Sequence, residues 1–343
     1  MLRSFEKKLD DFNDGYCREN LFSGVLRITV KDQVILERFV GMEDYESGIP
    51  FSNDSMFTFY SLSKPFCAMG LMKLRDRGLV DPDSHPGRYV PEAATFHKDL
   101  TIRQMLQHVS GMPDFELNEE FVRRCASGTI RDMVKELSGR PMLFEPGTDS
   151  KYANINFIVA ALVIENVSGM TYADYMREEI FAPLGMRTAR VDASDLAVPH
   201  RVVGYGLEDG KPVPVERVTA WLFGAGDIIG RVDDVYCLNR AIKHRLLLRE
   251  DSWREILTPS PVSGMGLGCT VSRWHGKDRI THNGGHIGFR TLHIQLPEDD
   301  FDVILLSNFG FGNARNDFAE AIHEAYYGGG EAAENMEMDR GYI

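Results

Sequence analysis

The chain has 343 residues, of which 43% are hydrophobic and 26% are charged, a globular composition that fits one large domain or two modest ones. Its formal net charge of -13, without a basic stripe, argues against nucleic acid and anionic membranes as partners. No apolar run approaches the roughly 18 residues of a membrane span, and the N-terminus lacks the apolar core of a signal peptide. Five cysteines without C-x-x-C spacing predict reduced thiols in a cytoplasmic protein.

The N-terminal part of the chain contains patterns for a helix, a hairpin and a second helix. Residues 4–19 place apolar side chains on one face and charges on the other, and two β-rich runs flank residues 31–33 as in a hairpin. A short strand at 57–59 leads into a further amphipathic helix, which ends at Gly78.

The middle of the chain lacks the alternation typical of strands, whereas the C-terminal part contains it again. Between residues 80 and 220 the patterns predict helices separated by loops rich in proline and glycine, at 101–109, 129–138, 154–167 and 171–181. After a glycine turn and a helix, the C-terminal part contains four strand patterns and a last helix. These lie at 266–274, 278–285, 289–296, 302–308 and about 313–327.

These patterns predict an α+β fold. The simplest packing places the N-terminal hairpin and the C-terminal strands in one antiparallel sheet flanked by helices, with a mostly helical region inserted. We expect a single domain over residues 1–343, with a sheet region at about 1–78 and 225–343 and a helical region at about 79–224. A cleft should form where the two regions meet, which is a common place for a ligand site.

The first candidate for chemistry is the pair of Ser61 and Lys64. Residues three apart on a helix share a face, so the lysine amine can reach the serine hydroxyl. A serine at a helix N-terminus also has a free backbone N–H for an oxyanion, and apolar neighbours that desolvate Lys64 would lower its pKa. The alternative is a capping serine with a solvated lysine. Ser4 and Lys7 repeat the spacing in what we interpret as a surface helix.

The second candidate is Tyr152-Ala153-Asn154, in a polar turn ahead of an apolar helix. A tyrosine near a lysine has its phenolate favoured and can take a proton from a serine. Asn154 can hydrogen-bond both a substrate amide and the lysine. The alternative is a capping turn with a half-buried tyrosine.

The third candidate is His282-Asn283-Gly284-Gly285, at the end of a predicted strand. A strand beside a nucleophile can offer a backbone N–H as an oxyanion donor, and glycine allows close approach of a substrate. The H-x-G pattern also occurs at His85 and His286, but only the pattern at His282 ends a strand and continues with a second glycine.

Cofactor motifs are absent from the sequence. His282 and His286 are four residues apart, but the segment between them is a poor helix former and no H-E-x-x-H motif occurs, so no metal is expected. No Rossmann or P-loop glycine pattern is present, so no nucleotide cofactor is expected. The chain also lacks the G-x-S-x-G elbow of α/β-hydrolases.

Taken in order, S-x-x-K at 61–64, Y-x-N at 152–154 and H-x-G at 282–284 resemble the serine β-lactamase and penicillin-binding-protein superfamily. The resemblance is strongest to its class C-like branch, which holds class C β-lactamases, DD-peptidases, D-aminopeptidases and esterases. The segments "LTIRQMLQHVSGMPDF" and "GAGDIIGRVDD" are similar to further segments of this branch, and the resemblance spans about residues 20–325.

The resemblance implies a β-lactamase/transpeptidase-like fold and a role for each motif residue. Ser61 would be the acylated nucleophile, and Lys64 and Tyr152 would share the general-base and general-acid steps. Asn154 would position the substrate and the lysine.

The glycine-rich strand end would complete this implied site. The backbone N–H groups of Ser61 and Gly285 would form the oxyanion hole, with Gly284 between the donor strand and the substrate. His282 stands where β-lactamases of the branch usually have lysine, so a permanent positive charge is missing unless the imidazole pKa is raised. This difference favours a peptidase or an esterase over a dedicated β-lactamase.

We therefore expect a cytoplasmic serine hydrolase that acts through an acyl-enzyme on a small ester or amide, of the carboxylesterase or D-amino-acid peptidase type. β-Lactamase activity, acyl transfer to an alcohol or amine, and a non-catalytic scaffold or binding relative remain alternatives. Loops around 110–125, 200–224 and 286–292 should determine specificity. Their aromatic residues belong either to the cleft or to the core: Phe115, Tyr205, Trp221, Phe223 and Phe289.

Overall fold

A computed structural model describes Lys7, Asp11 and residues 22–115, 128–192, 197–215, 219, 221–286, 288–310 and 314–327. The predicted N-terminal helix at 4–19 therefore lies mostly outside the described residues, although Lys7 and Asp11 are both helical. Parts of the predicted specificity loops and the first residue of the predicted last helix also lie outside them.

The strands and helices follow one another along the chain as the sequence patterns broadly predict. The strands are β1 (Gly24–Val30), β2 (Gln33–Val40), β3 (Met42–Asp44), β4 (Ile49–Pro50), β5 (Phe57–Thr58), β6 (Arg190–Val191), β7 (Tyr205–Glu208), β8 (Lys211–Pro214), β9 (Ile228–Gly230), β10 (Thr270–Trp274), β11 (Lys277–His286), β12 (Phe289–Leu296) and β13 (Phe301–Ser307). The α-helices are α1 (Lys64–Asp76), α2 (Ile102–Leu106), α3 (Ile130–Ser138), α4 (Ile155–Ser168), α5 (Tyr172–Tyr175), α6 (Ala182–Leu184), α7 (Val232–Lys243), α8 (Glu250–Ile256) and α9 (Ala314–Tyr327).

The two ends of the chain form one antiparallel sheet. Within the described residues this main sheet has six strands, in the order β10-β11-β12-β13-β1-β2. Strand β1 pairs with β13 from Gly24 opposite Ser307 to Val30 opposite Phe301. The hairpin between β1 and β2 turns at Lys31, where φ is positive as a two-residue primed turn requires. The predicted α+β fold with a sheet built from both ends is confirmed.

The main sheet separates two apolar cores, because alternate side chains of a strand point to opposite faces. On one face, Leu26 and Leu305 pack in a core that includes Phe318 of α9. On the other face, Val25 and Leu306 belong to the larger core, which contains α1 and α4. The sheet is therefore covered on both sides.

Helix α4 is the centre of the larger core. All of its residues from Ile155 to Ile164 are buried, as expected for a helix that is apolar on every side. Within the described residues no single helix is long and apolar enough to cross a membrane; the pair Ile155–Ser168 and Tyr172–Leu184 passes that test only together, with an 81° bend between them.

The structure departs from the sequence patterns mainly in the predicted helical region. The helix predicted at 101–109 ends earlier, at Leu106, because His108 adopts a positive φ. The helix predicted at 171–181 changes to a π-helix at Met176–Phe181. Short strands such as β6 also occur in this region, and segments of two to four residues are too short to produce a visible alternation.

The described cysteines are free thiols. Cys67 and Cys269 are buried and Cys237 is half-buried. Burial raises the pKa of Cys67 and of Cys269 to about 12, so both thiols stay protonated near neutral pH.

Candidate active site

Ser61 lies in a 3-10 turn, Tyr60–Ser63, that connects β5 to α1. The sequence analysis placed this serine at the N-terminus of a helix, and the α-helix itself begins three residues later, at Lys64. Tyr60, the residue before the serine, has a φ of 49°, a left-handed conformation that is unusual for a large side chain. The turn is held in place because the Phe59 carbonyl accepts a hydrogen bond from the Thr291 hydroxyl of β12, at 2.9 Å.

The side chain of Lys64 is fully buried and reaches three oxygen atoms. Its Nζ lies 3.0 Å from Ser61 Oγ, 2.9 Å from Asn154 Oδ1 and 2.8 Å from the carbonyl oxygen of Ala225. The amide oxygen of Asn154 and the carbonyl of Ala225 can only accept hydrogen bonds. A neutral amine therefore uses both of its N–H groups on them, and its lone pair is left for the Ser61 hydroxyl.

The protonation equilibrium of Lys64 is poised near neutral pH. Burial lowers the pKa of its amine to about 7, against the opposing attraction of the Asp114 and Asp227 carboxylates. A large fraction of the amine is consequently neutral at physiological pH, which is the form that can accept a proton from a serine.

The ring of Tyr152 covers the same amine. Lys64 Nζ lies 4.7 Å from the centroid of this ring. The Tyr152 ring also packs on His108, whose imidazole stacks on it with ring centroids 4.2 Å apart. His108 Nδ1 accepts a hydrogen bond from the backbone N–H of Ala153, at 3.1 Å, which ties the ring to the turn that carries Tyr152.

Asn154 is held at the N-terminus of α4 by a carboxylate. The two oxygens of Asp114 accept hydrogen bonds from the backbone N–H groups of Asn154, at 2.6 Å, and Ile155, at 3.1 Å. These N–H groups have no partner within the helix, so an acidic side chain here satisfies them and interacts favourably with the helix dipole. Asp114 thereby fixes the backbone beside the amide that contacts Lys64.

The end of β11 lies alongside the nucleophile turn. In the described residues, pairing of β11 with β10 stops at Thr281 opposite Thr270. A Cβ atom on Gly284 would collide with the Phe59 carbonyl oxygen and lie 3.1 Å from the Leu62 nitrogen. Only glycine therefore allows this close approach of the strand to the turn.

The flanking residues of β11 point to different surroundings. A Cβ atom on Gly285 would meet the Arg290 side chain at 3.2 Å, so its side-chain position is on the face opposite to that of Gly284. His282 is buried, and its Nδ1 lies 2.7 Å from the Asn283 carbonyl oxygen. Because a carbonyl only accepts, this contact assigns the proton to Nδ1.

The structure thus brings together Ser61, Lys64, Tyr152 and Asn154, and it places Gly284 against the turn that carries the serine. Sequence reasoning assigned no role to several residues that complete this arrangement: His108, Asp114, Asp227 and the carbonyl of Ala225. All of them fall in the two segments that carried the family resemblance, "LTIRQMLQHVSGMPDF" and "GAGDIIGRVDD". The aspartate after Gly224-Ala225-Gly226 is visible in the sequence, but its burial is not.

The aromatic residues named from the predicted specificity loops differ in how deeply they are buried. Phe115, Tyr205 and Phe289 are buried, and the Tyr205 hydroxyl is engaged by the backbone N–H of Tyr45 at 2.8 Å. The side chains of Trp221 and Phe223 are half-buried. Phe289 packs against Tyr60 of the nucleophile turn, with ring centroids 5.6 Å apart.

Comparison with known sequences gives matches over nearly the whole chain. The family model described as Beta-lactamase matches residues 5–326. Penicillin-binding protein 4* of Bacillus subtilis (strain 168) is 25% identical over 331 residues, which cover 90% of this chain and 73% of that protein. The putative penicillin-binding protein PbpX of the same organism is 27% identical over 296 residues, which cover 85% of this chain and 72% of that protein.

Comparison with solved structures identifies the same fold. A penicillin-binding protein from Bacillus halodurans superposes with a TM-score of 0.80 at 22% identity and covers 94% of this chain and 100% of its own. EstCE1, described as a hydrolase with promiscuous acyltransferase activity, has a TM-score of 0.81 at 19% identity, with 95% and 99% covered. The D-amino acid amidase from Ochrobactrum anthropi SV3 has a TM-score of 0.79 at 24% identity, with 95% and 98% covered.

Proposed function

The chain belongs to the beta-lactamase family, and from that premise we propose that it is a serine hydrolase that forms an acyl-enzyme at Ser61 with a small ester or amide. The observation that carries the proposal is the 3.0 Å contact between Lys64 Nζ and Ser61 Oγ, made by a buried amine whose pKa is about 7. A nucleophile and a base within hydrogen-bond reach, with the base fixed by further partners, is the arrangement that activates a serine.

Acylation begins with proton transfer from the Ser61 hydroxyl to the neutral amine of Lys64. The oxygen then attacks the carbonyl carbon of the substrate, and negative charge develops on the carbonyl oxygen. We assign stabilisation of this oxyanion to the backbone N–H groups of Ser61 and Gly285, because β11 runs beside the nucleophile turn. The leaving group departs with a proton returned by Lys64 or Tyr152.

Hydrolysis of the acyl-enzyme reverses these proton transfers. A water molecule replaces the leaving group, gives a proton to the Lys64 and Tyr152 pair, and attacks the acyl carbon. Release of the acid regenerates the Ser61 hydroxyl. An alcohol or amine in the place of the water would give acyl transfer, and the likeness to EstCE1, which is described as having promiscuous acyltransferase activity, supports this as a second candidate.

The nature of residue 282 favours esters and amino-acid amides over β-lactams. An imidazole at position 282 carries no permanent positive charge that would bind a substrate carboxylate. The likeness to a D-amino acid amidase supports the amide part of this preference.

The proposal is tested with a fluorophosphonate probe and a substrate panel. The panel contains p-nitrophenyl esters of increasing chain length, D- and L-amino acid p-nitroanilides, and nitrocefin. We expect the adduct on Ser61, turnover of an ester or D-amino acid amide, and loss of both in Ser61→Ala. Ser63→Ala is the matched control and should still be labelled, because the Ser63 hydroxyl is occupied by the backbone N–H of Ile228 at 3.0 Å. An adduct on another residue, or no turnover of any substrate, would contradict the proposal.

A further inference from the structure

We propose that Asp227 is a positioning residue for Lys64: its buried carboxylate holds the turn whose carbonyl binds the amine, and its charge controls when the amine gives up its proton. The inference rests on the proposed function, because it assigns to Asp227 a part in activating the base. It does not require Asp227 to touch the substrate.

The carboxylate of Asp227 closes the turn that binds Lys64. Its Oδ2 accepts a hydrogen bond from the backbone N–H of Gly224, at 2.9 Å. Ala225, one of the two residues between them, donates its N–H to the Leu222 carbonyl at 2.7 Å and presents its own carbonyl to Lys64 Nζ at 2.8 Å. The aspartate side chain and the lysine amine therefore both form hydrogen bonds with the backbone of the same short loop.

The loop that carries Ala225 is packed closely against α4. Gly224 has a φ of 70°, and a Cβ atom there would collide with Ala161 of α4. On the other side of Asp227, the N–H of Ile228 binds the Ser63 hydroxyl at 3.0 Å. Asp227 thus lies between Ala225, which binds Lys64, and Ile228, which binds the residue that precedes the lysine.

The second oxygen of Asp227 is available for electrostatic interaction with the site. The side chain is 2% exposed, and Oδ1 has no hydrogen-bond partner in the described part of the chain. Burial raises the pKa of this carboxyl to about 7, against the opposing hydrogen bond from Gly224. Lys64 has a pKa of about 7 as well, so the two groups titrate in the same pH range and the charge of each affects the other.

Several titratable groups besides Asp227 lie near Lys64, among them the Tyr152 ring over the amine and the Asp114 carboxylate, which also attracts it. The Cys67 thiol in α1 and the Tyr172 hydroxyl in α5 have pKa values raised by burial and are neutral. Burial lowers the pKa of His108 far below its ordinary value, so it is neutral too. Asp114 is committed to the backbone N–H groups at the start of α4, and Asp192 to Arg201 at 2.7 Å.

Two substitutions separate the role of the charge from that of the turn. Asp227→Asn keeps an oxygen that accepts from Gly224 N–H and removes the charge. Without the negative charge the ammonium form of Lys64 loses a stabilising partner, so its pKa falls and the neutral amine persists to lower pH. We expect the acidic limb of Ser61 labelling to move down by about one pH unit. Asp227→Ala also opens the turn and should slow labelling at every pH.

Asp234→Asn is the matched control. Asp234 is another buried carboxylate with a pKa raised by burial, and it too accepts a backbone N–H, from Arg231 at 2.8 Å. It belongs to α7 and its other partner is the Thr188 hydroxyl. This variant should label with the wild-type pH profile.

The experiment measures the rate of fluorophosphonate labelling of Ser61 from pH 5 to pH 9 in the full-length wild type and the variants, with thermal unfolding recorded for each. A downward shift in Asp227→Asn but not in Asp234→Asn supports the inference. An unchanged or upward-shifted midpoint in Asp227→Asn overturns it. Should that variant fail to fold, Asp227→Ser, which keeps an acceptor without the charge, has the same two outcomes. Absence of Ser61 labelling in the wild type at every pH would instead contradict the proposed function.

Discussion

Lys64 and His293 are both fully buried nitrogen bases beside the main sheet, yet only one of them titrates near neutral pH. Burial lowers the pKa of His293 from 6.5 to about 3, and burial lowers the pKa of Lys64 from 10.5 to about 7. The histidine is therefore fixed in its neutral form, whereas the lysine changes charge in the physiological range. Burial leaves Lys64 able to titrate near neutral pH because the ordinary pKa of lysine is high and nearby carboxylates limit the fall.

The surroundings of the two groups differ in the same way. His293 belongs to a hydrogen-bonded group, the His293 cluster, made of His293, Asn239 and Gln295. His293 Nδ1 lies 2.9 Å from Asn239 Oδ1, and the Gln295 amide donates to the Asn239 backbone carbonyl and to the Asp302 carboxylate, both at 2.8 Å. Burial alone accounts for the lowered pKa of His293. Lys64 instead feels the attraction of Asp114 and Asp227, which opposes the effect of burial. The His293 cluster connects α7 to the main sheet. The Lys64 amine instead contacts the Ser61 hydroxyl.

Replacing the lysine should give the largest effect. Lys64→Met keeps an unbranched side chain of similar length but has no amine to accept the Ser61 proton. We expect the rate of Ser61 labelling at pH 8 to fall by about 10²–10⁴-fold. The loss of labelling should not be accompanied by a large decrease in the unfolding free energy, since the variant has no buried amine to desolvate.

His293→Gln is the control for this loss and should label at the wild-type rate. Lys64→Met that labels within tenfold of the wild type, or His293→Gln that labels as slowly as Lys64→Met, would remove the distinction between the two groups.

The second prediction concerns stability against acid. The unfolded chain binds a proton at His293 below about pH 6.5, whereas the folded chain does so only near pH 3. The unfolded state therefore binds more protons between these values, and stability falls as the pH is lowered through this window. Between pH 6.5 and pH 4.5 this histidine should account for a loss of about 2 kcal/mol of unfolding free energy.

Urea denaturation at the two pH values tests this expectation. In His293→Gln the loss over the same window should be smaller than in the wild type by that amount, because all other titrating groups are shared. Equal losses in the two proteins would mean that His293 binds a proton in the folded state at its ordinary pH.

The smallest predicted change gives His293 a counter-charge of its own. Asn239→Asp places a carboxylate at the position of the amide oxygen that now lies 2.9 Å from His293 Nδ1. We expect the pKa of His293 to rise by about one unit or more, since an opposite charge at this distance favours the imidazolium. Its ring resonances, followed by NMR against pH, measure the change. A pKa that stays near 3 would show that burial outweighs a neighbouring charge.

The parts of the molecule that follow local patterns were predictable from the sequence. The turn at residues 31–33 specified the N-terminal hairpin, and the alternation at 289–296 and 302–308 specified two of the strands that complete the sheet. The two motifs that include Ser61 and Tyr152 predicted side chains that meet in the structure, because each motif has a fixed spacing and order along the chain.

Features that depend on tertiary packing could not be predicted. Nothing local indicates that the Ala225 carbonyl would bind Lys64, or that Asp227 would be buried behind it, since both result from a loop pressed against α4. The left-handed Tyr60 is likewise maintained by contacts of the turn with distant strands. The His293 cluster was missed for the same reason, because its histidine lies in an ordinary strand pattern.

The most direct test of the account is the titration of Lys64 itself. Lysine labelled with 13C at Cε can be followed by NMR from pH 5 to pH 11, and the signal that is lost in Lys64→Met identifies residue 64. We predict that this signal titrates with a midpoint near 7, while ordinary lysines titrate near 10.4. A Lys64 signal that titrates together with the ordinary lysines would contradict the claim that the buried amine is the base for Ser61.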